Sequence, residues 1–233
     1  MLKNSSPTDQ MSAFTQYLVE RCPNEGERLP SLADLSRQLG LSVATLREQL
    51  EVARALGFVE VKPRIGIRTL PYSFAPAVHQ SLTYALMLDP SYFEAFSDLR
   101  SQIEAAYWRQ ATGKLTTEDH QALRDLVDRA MEKLHGTQVQ IPHKEHRELH
   151  LSIYKRLENP FVQGLLEAYW DMYEAFGLAI YNDYSYLEKV WHYHQEMVDA
   201  ICRGDMSAGY QALVDHMNLL SERSPHQSRQ KFE

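Results

Sequence analysis

The stretch "SLADLSRQLGLSVATLREQLEVARALGFVEVKPRIGIRTL", residues 31–70, carries the architecture of the first third of the chain. Ser31 suits a helix N-cap, because its hydroxyl can accept a bond from an amide of the first turn that has no partner within the helix. Leu32, Leu35 and Leu39 then recur at helical spacing, and Gly40 ends the run as a C′ residue should. Ser42 opens a second helix after a short gap. Leu46, Leu50 and Ala53 line one face of it, and Gly57 ends it. Two short helices joined by a tight glycine-containing turn form a helix-turn-helix. Phe58, Val59 and Val61 suit a strand, "KPRIG" a turn and "IRTL" a returning strand. A helix-turn-helix followed by a small basic hairpin is a winged helix.

On the N-terminal side, "MSAFTQYLVERC", residues 11–22, reads as a helix with Phe14, Leu18 and Val19 on its apolar side, and "PNEGERLP" reads as a loop. On the C-terminal side, "TLPYSFAPAV", residues 69–78, holds Pro71 and Pro76 and shows no period, which marks a joint. Long helical patterns without internal repeat fill the rest. The expected fold is mainly α: a winged helix-turn-helix over 9–70, a linker over 71–80, an all-helical bundle over 81–223 and a polar tail over 224–233.

Charge is uneven along the chain. Residues 1–75 carry nine Lys/Arg against eight Asp/Glu, a net of +1, and the remainder fifteen against twenty-three, a net of −8, which together give the net −7. Such a balance disfavours indiscriminate nucleic-acid binding but leaves room for sequence-specific contact by a locally basic surface. The two cysteines, Cys22 and Cys202, suggest neither a disulfide framework nor a CxxC metal site. The polar opening "MLKNSSPTDQ" predicts no signal peptide. No apolar run approaches the ~18–20 residues of a membrane helix. A reducing cytoplasm and no membrane partner are therefore expected.

Residues 26–70 resemble, without a gap, the DNA-binding domain of the GntR family of bacterial regulators. The resemblance rests on Gly26 with Leu29-Pro30-Ser31, the "LG-LS" turn around Ser42, "LREQL", "LGFVE" and Gly66 at the wing tip. It implies a recognition helix near 43–56 with its N-terminal end in the major groove, Thr45 and Arg47 at or near the DNA, and Arg64 and Arg68 on the wing facing phosphates or the minor groove. Arg47 would take a phosphate or a guanine edge, the alternative being a surface salt bridge. Where the family usually places Arg after the turn serine, this chain has Val43, which offers an apolar contact, such as one to a thymine methyl, in place of a charged one.

In the second part, "IPHKEHRELHLSIYKRLENP", residues 141–160, puts His143, His146 and His150 inside eight residues. From a helix started by Pro142 they share a face that continues through Ile153 and Leu157, the core-facing side. His194 shares the apolar stripe of its own helix with Met197 and Ile201, whereas His192 faces elsewhere. His216 lies among Ala212, Leu213, Leu219 and Leu220. Buried imidazoles must be hydrogen-bonded or bound to something. A lone core histidine is usually satisfied by a neighbour; three helices aiming histidine at one interior point instead to a metal with neutral imidazole ligands.

Residues 91–221 resemble the FCD ligand-binding domain of the FadR subgroup of the same family. "FEAFSDLRSQIEAAY" is similar to its opening helix, with Arg100 and Glu104 at matching places. "HRELHLSIYKRLENPFVQGLL" is similar to its Asp-x-x-x-His helix and Asn-Pro turn. The last two helices match, with His194 eleven residues before Asp205 and His216 eleven after it. Three family ligands thereby map to His150, His194 and His216, and the family's Asp is His146 here. His146 either ligates as a fourth histidine or swings away, and His143 is read as a bystander at the rim. Losing the carboxylate leaves a divalent ion with more of its positive field, which favours an anionic effector, for instance a carboxylate. Arg100 would grip the same anion bidentately, or pair with Glu104. Zinc suits imidazole ligands, and nickel is admissible.

The expected protein is thus a transcription regulator, by family habit a homodimer on a near-palindromic double-stranded operator and commonly a repressor, with activation as the alternative. A small carboxylate effector bound beside the metal would release it. The rival readings are a metal-dependent hydrolase-like enzyme, for which only Glu145 or Glu148 stands near as a base and both point off the ligand face, a regulator that senses the metal itself, and a purely structural ion. The aromatics Trp108, Tyr169, Trp170, Tyr173 and Phe176 either narrow a ligand pocket or fill the bundle core.

Overall fold

A computed structural model describes residues 10–22, 24–173, 175 and 184–221. The chain divides into two compact units, residues 1–80 and 81–233.

The first unit contains α1 (Ala13–Arg21), α2 (Leu32–Leu39), α3 (Val43–Ala55), β1 (Val59–Lys62) and β2 (Gly66–Thr69). Each helix starts on a serine whose hydroxyl accepts an amide of the first turn: Ser12 for α1, Ser31 for α2 and Ser42 for α3. Gly40 takes the left-handed conformation at the end of α2. Phe14, Leu18, Leu35, Leu46, Leu50, Ala53, Val59 and Ile67 form one core. Val19, expected with them, is 65% exposed, because one residue beyond Leu18 is about 100° further around the helix. β1 and β2 pair antiparallel with Val59 opposite Thr69 and Lys62 opposite Gly66.

Two details depart from the sequence reading. The segment read as the loop 23–30 pairs with β2: Leu29 N donates to Ile67 O at 3.0 Å and Thr69 N to Glu27 O at 3.0 Å. No alternating pattern announced it, since the pairing is carried by backbone. The stretch read as linker 71–80 is helical from residue 75, within α4 (Ala75–Leu88). Pro76 permits this, because amides in a first helical turn have no intrahelical partner to lose. Gly57, with φ 74°, closes the end of α3, and a Cβ there would come within 2.6 Å of Pro76 Cγ.

The second unit contains α5 (Tyr92–Thr112), α6 (Thr117–His135), α7 (His143–Tyr154), α8 (Pro160–Met172), α9 (Tyr184–Arg203) and α10 (Met206–Ser221). Helix α9 packs on α6 and α10, α7 on α6 and α8, and α5 on α7, α8 and α10. A Thr116–Asp119 capping box starts α6, and Asn159 followed by Pro160 starts α8. Trp108, Tyr169, Trp170, Tyr173 and Trp191 lie in the core with Leu123, Leu149, Ile153 and Leu213. The expectation for Phe176 and for the tail 224–233 falls outside the described residues. Cys22 and Cys202 are free thiols. Among the described residues, no helix is long and apolar enough to cross a membrane.

Candidate functional site

Four histidines meet inside the second unit. His146 and His150 project from α7 one turn apart, His194 from α9 and His216 from α10. Each offers a ring nitrogen, and these atoms lie within 4.8 Å of one another. Three of the rings are fully buried and His146 is 8% exposed. The His194 and His216 ring centroids are 4.4 Å apart, and His150 Nε2 is 3.1 Å from His194 Nε2. The helices aim the rings inward because each histidine occupies an apolar-stripe position, His150 with Leu149 and Ile153, His194 with Met197 and Ile201.

Indole and phenol rings enclose the cluster. His146 packs edge-on against Trp170 at 4.6 Å and Tyr173 at 5.5 Å, and His194 against Trp191 at 4.8 Å. Burial, reinforced by repulsion from the neighbouring imidazoles and Arg100, holds His146, His194 and His216 well below the ordinary histidine pKa. These three rings are therefore neutral at pH 7 and keep a lone pair. His146 Nε2, His194 Nδ1 and both nitrogens of His216 have no hydrogen-bond partner. An unpaired buried polar atom costs about 1–3 kcal/mol, so four of them in one place call for something to bind.

A divalent ion fits that demand. Imidazole nitrogens are borderline donors suited to zinc, nickel or cobalt. Nitrogens about 2.1 Å from a tetrahedral ion lie about 3.4 Å apart, so ligand atoms within 4.8 Å of one another close on an ion by ring movements of under about 1 Å each.

One carboxylate touches the cluster from behind. His150 Nδ1 lies 3.1 Å and 3.2 Å from the two oxygens of Glu104 on α5. Arg100, one turn earlier, donates to Glu104 Oε2 at 2.7 Å and to Tyr169 Oη at 3.5 Å, and its guanidinium sits 4.7 Å from the Tyr169 ring centre. Burial alone would raise the Glu104 carboxyl, but Arg100 and His150 hold it well below the usual range. The bidentate grip expected of Arg100 on an effector is thus taken up by Glu104 and Tyr169; only Arg100 Nε lacks a partner. The sequence reading named the Arg100–Glu104 pair but missed the Glu104–His150 contact. Its signal was an acidic residue on the buried face of a long amphipathic helix.

Access is narrow. A small cleft lined by Ile141, Pro142, His143, His146, Tyr173, Leu187 and Trp191 leads to the cluster, and His146 is the cluster member it touches. His143 also lines this cleft. The two carboxylates considered as general bases are engaged elsewhere: Glu145 with Lys133 at 2.7 Å, Glu148 with Lys144 and Arg129. His192 is exposed, 3.3 Å from Glu196.

In the first unit, the Ser31 and Ser42 hydroxyls are occupied as caps, Ser31 at 3.2 Å from Asp34 N and Ser42 at 3.0 Å from Thr45 N. Thr45 Oγ1 lies 2.9 Å from Ser42 Oγ. Arg47 is exposed on the first turns of α3 and has no acidic partner among the described residues, and Val43 is half-buried at its first position. Arg64 is exposed at the tip between β1 and β2, with φ 64°. Gly66 opens β2. Arg68 turns back, its Nη1 donating to Gly26 O at 3.3 Å.

The sequence signature of the FCD domain matches residues 95–219, more than half of the chain. The HTH-type transcriptional regulator YieP of Escherichia coli is 26% identical over 196 residues, covering 80% of this chain and 81% of that protein. The Uxu operon transcriptional regulator of E. coli is 24% identical over 223 residues, covering 93% and 86%. Among solved structures, the fold resembles a Streptococcus agalactiae GntR with TM-score 0.65 at 19% identity, covering 90% of this chain and 95% of that one. These relatives are named as regulators rather than enzymes. With a helix-turn-helix and hairpin in its first unit and the FCD signature across its helical second one, the chain belongs to the GntR family of transcription regulators, in the FadR-type branch that carries an FCD domain.

Proposed function

We propose that this regulator binds a divalent metal ion, zinc or nickel, through His146, His150, His194 and His216, and that a small anionic effector, a carboxylate, acts beside it to modulate operator binding. The observation that carries the reading is the cluster of four buried imidazoles, three of which hold ring nitrogens without partners. Some FCD domains bind metal, and GntR regulators bind DNA operators and small-molecule effectors. When bound, the ion supplies a Lewis-acidic position for an anionic donor. A ligand set of four neutral imidazoles leaves the ion's charge uncompensated by its ligands, which favours an anion over a neutral effector. Arg100, capped by Glu104, adds field rather than a direct grip.

The operator-binding module in this proposal is residues 9–70, joined by 71–80 to the sensing domain 81–223. Arg47 and Thr45 on α3, with Val43 beside them, face the major groove. Arg64, Gly66 and Arg68 form the wing, and Ser31 and Ser42 hold the two helix starts whose amides approach phosphates. The protein acts as a homodimeric repressor on a near-palindromic site. Exposed Tyr84 and Met87 on α4, 69% and 73% accessible, support an additional apolar contact.

Elemental analysis with native mass spectrometry tests the metal: one divalent ion per chain is expected, and a metal-free chain that stays so in added Zn²⁺ and Ni²⁺ ends the proposal. Operator release is then measured with metal alone and with a panel of carboxylates. The near-complete enclosure of the cluster favours a second reading, in which the ion itself is the signal, and release by metal alone would select it.

A further inference from the structure

We propose that Glu104 is a positioning residue of the metal centre: its carboxylate fixes the His150 ring as the Nδ1–H tautomer and so turns the lone pair of His150 Nε2 toward the cation. The inference rests on the reading of the four histidines as a metal site, and adds a member that is not a ligand.

Glu104 is fully buried, and its two oxygens lie 3.1 Å and 3.2 Å from His150 Nδ1. Oε2 also accepts from Arg100 Nη1 at 2.7 Å. A carboxylate paired with a guanidinium can only accept, so the short contact to Nδ1 requires the proton to be on that nitrogen. Nε2 is then the nitrogen left to ligate a cation, and it is Nε2 that lies 3.1 Å from His194 Nε2, facing the cluster. The other end of the contact is fixed too. Tyr154, one turn beyond His150 on α7, donates its hydroxyl to the Glu104 backbone carbonyl at 2.9 Å. α5 and α7 are therefore tied through the Glu104 backbone as well as its side chain, which holds the carboxylate against Nδ1.

A plain Arg–Glu pair at i,i+4 needs no third partner. Here the carboxylate reaches across to another helix and to one nitrogen of one prospective ligand. Hydrogen bonding of that kind orients a metal-binding imidazole and raises its basicity, and removing it typically weakens metal binding about 10–100-fold. Arg100 is then the clamp on Glu104 and not a site for the effector.

The test compares the full-length wild type with Glu104→Gln by Zn²⁺ competition titration against a chromogenic chelator. In parallel, ¹H–¹⁵N imidazole spectra of metal-free protein report the tautomer of His150. Expected are the Nδ1–H form in the wild type, loss of that preference in the variant, and Zn²⁺ binding about 10–100-fold weaker at unchanged helix content. Should Glu104→Gln not fold because it strands Arg100, the double replacement Arg100→Gln/Glu104→Gln removes both buried charges together and supports the same comparison. A wild type that takes up no Zn²⁺ sinks the metal reading and this inference with it. A wild type that binds while the variant binds within about twofold overturns this inference alone, and so does an Nε2–H tautomer in the metal-free wild type.

Discussion

Nε2 of His150 and Nε2 of His194 face each other at 3.1 Å in a fully buried space between α7 and α9. Two imidazoles so placed must share either a proton or a cation, because two bare lone pairs at that distance repel. A shared proton would satisfy one contact and leave both His216 nitrogens without a partner; a cation can take one nitrogen from each of the four rings, His216 included. Added Zn²⁺ is therefore expected to stabilise the protein, by about 2.7 kcal/mol at a free concentration one hundred times its Kd. His194→Gln and His216→Gln should lose most of that gain relative to their own metal-free baselines. Differential scanning calorimetry with and without Zn²⁺ measures it, and equal gains in wild type and both variants would place the ion elsewhere.

The small residue at 209 has a separate purpose. A Cβ on Gly209 would come within 2.8 Å of Trp108 Cζ2, and the Trp108 indole already donates to Met206 O at 3.0 Å. The ring is fully buried, so it has nowhere to retreat. Gly209→Ala is expected to destabilise by about 1–3 kcal/mol through overpacking, in spite of the better helix propensity of alanine. Urea unfolding checks this, and a variant as stable as the wild type would mean that α10 can move away from α5 without cost.

What the sequence made legible follows from periodicity. Ser31, Gly40, Ser42 and Gly57 punctuate the first unit with local chemistry, so the helix-turn-helix could be placed nearly to the residue. The inward histidines were legible because each sits where Leu would recur on an apolar stripe. Three such stripes pointed to one interior, but which rings stand in contact there was not legible, since periodicity fixes the face of a helix and not the neighbour it meets. The Glu104–His150 contact, 46 positions apart in the chain, and the pairing of Leu29 with Ile67 depend on tertiary packing and backbone bonds that leave no spacing signal. Arg100 shows the same limit: a buried arginine reads as an anion site until its acid partner is seen to hold it.

Asp119 makes the stability of the second unit sensitive to acid. Its carboxylate accepts from Arg156 Nε, Lys155 Nζ at 2.6 Å and Thr116 N at 2.8 Å, tying the start of α6 to the end of α7. The hydrogen bond from Arg156 does most to hold its pKa below the ordinary aspartate value, against the opposing effect of burial. A group harder to protonate folded than unfolded stabilises the fold in full above about pH 4, and the contribution fades as pH drops below that. Solvent around Arg156 and Lys155, 42% and 43% exposed, limits the effect to on the order of 1 kcal/mol. Asp119→Asn should flatten the decline of the urea midpoint between neutral pH and about pH 3, and an unchanged slope would show the carboxylate to be a bystander.

At the wing tip, Arg64 holds a backbone conformation that arginine does not choose. Lys62 O accepts from Ile65 N at 3.2 Å, Pro63 takes the second turn position, and Arg64 at the third has φ 64°, the place where a type II turn favours glycine. A side chain there costs about 1 kcal/mol, and the residue is exposed, so no packing in its own unit repays it. The position makes sense if the guanidinium meets a phosphate or the minor groove of an operator. Arg64→Gly relieves the strain but adds freedom to the unfolded chain, so stability should change by no more than about 1 kcal/mol. DNA binding should weaken, and the slope of log affinity against log salt should become shallower by about 1. Fluorescence anisotropy on a duplex selected with the wild-type protein, repeated across salt concentrations, separates the two effects. Weakened binding with an unaltered salt slope would mean that Arg64 shapes the wing without touching a phosphate, and unchanged binding would remove the wing tip from the interface.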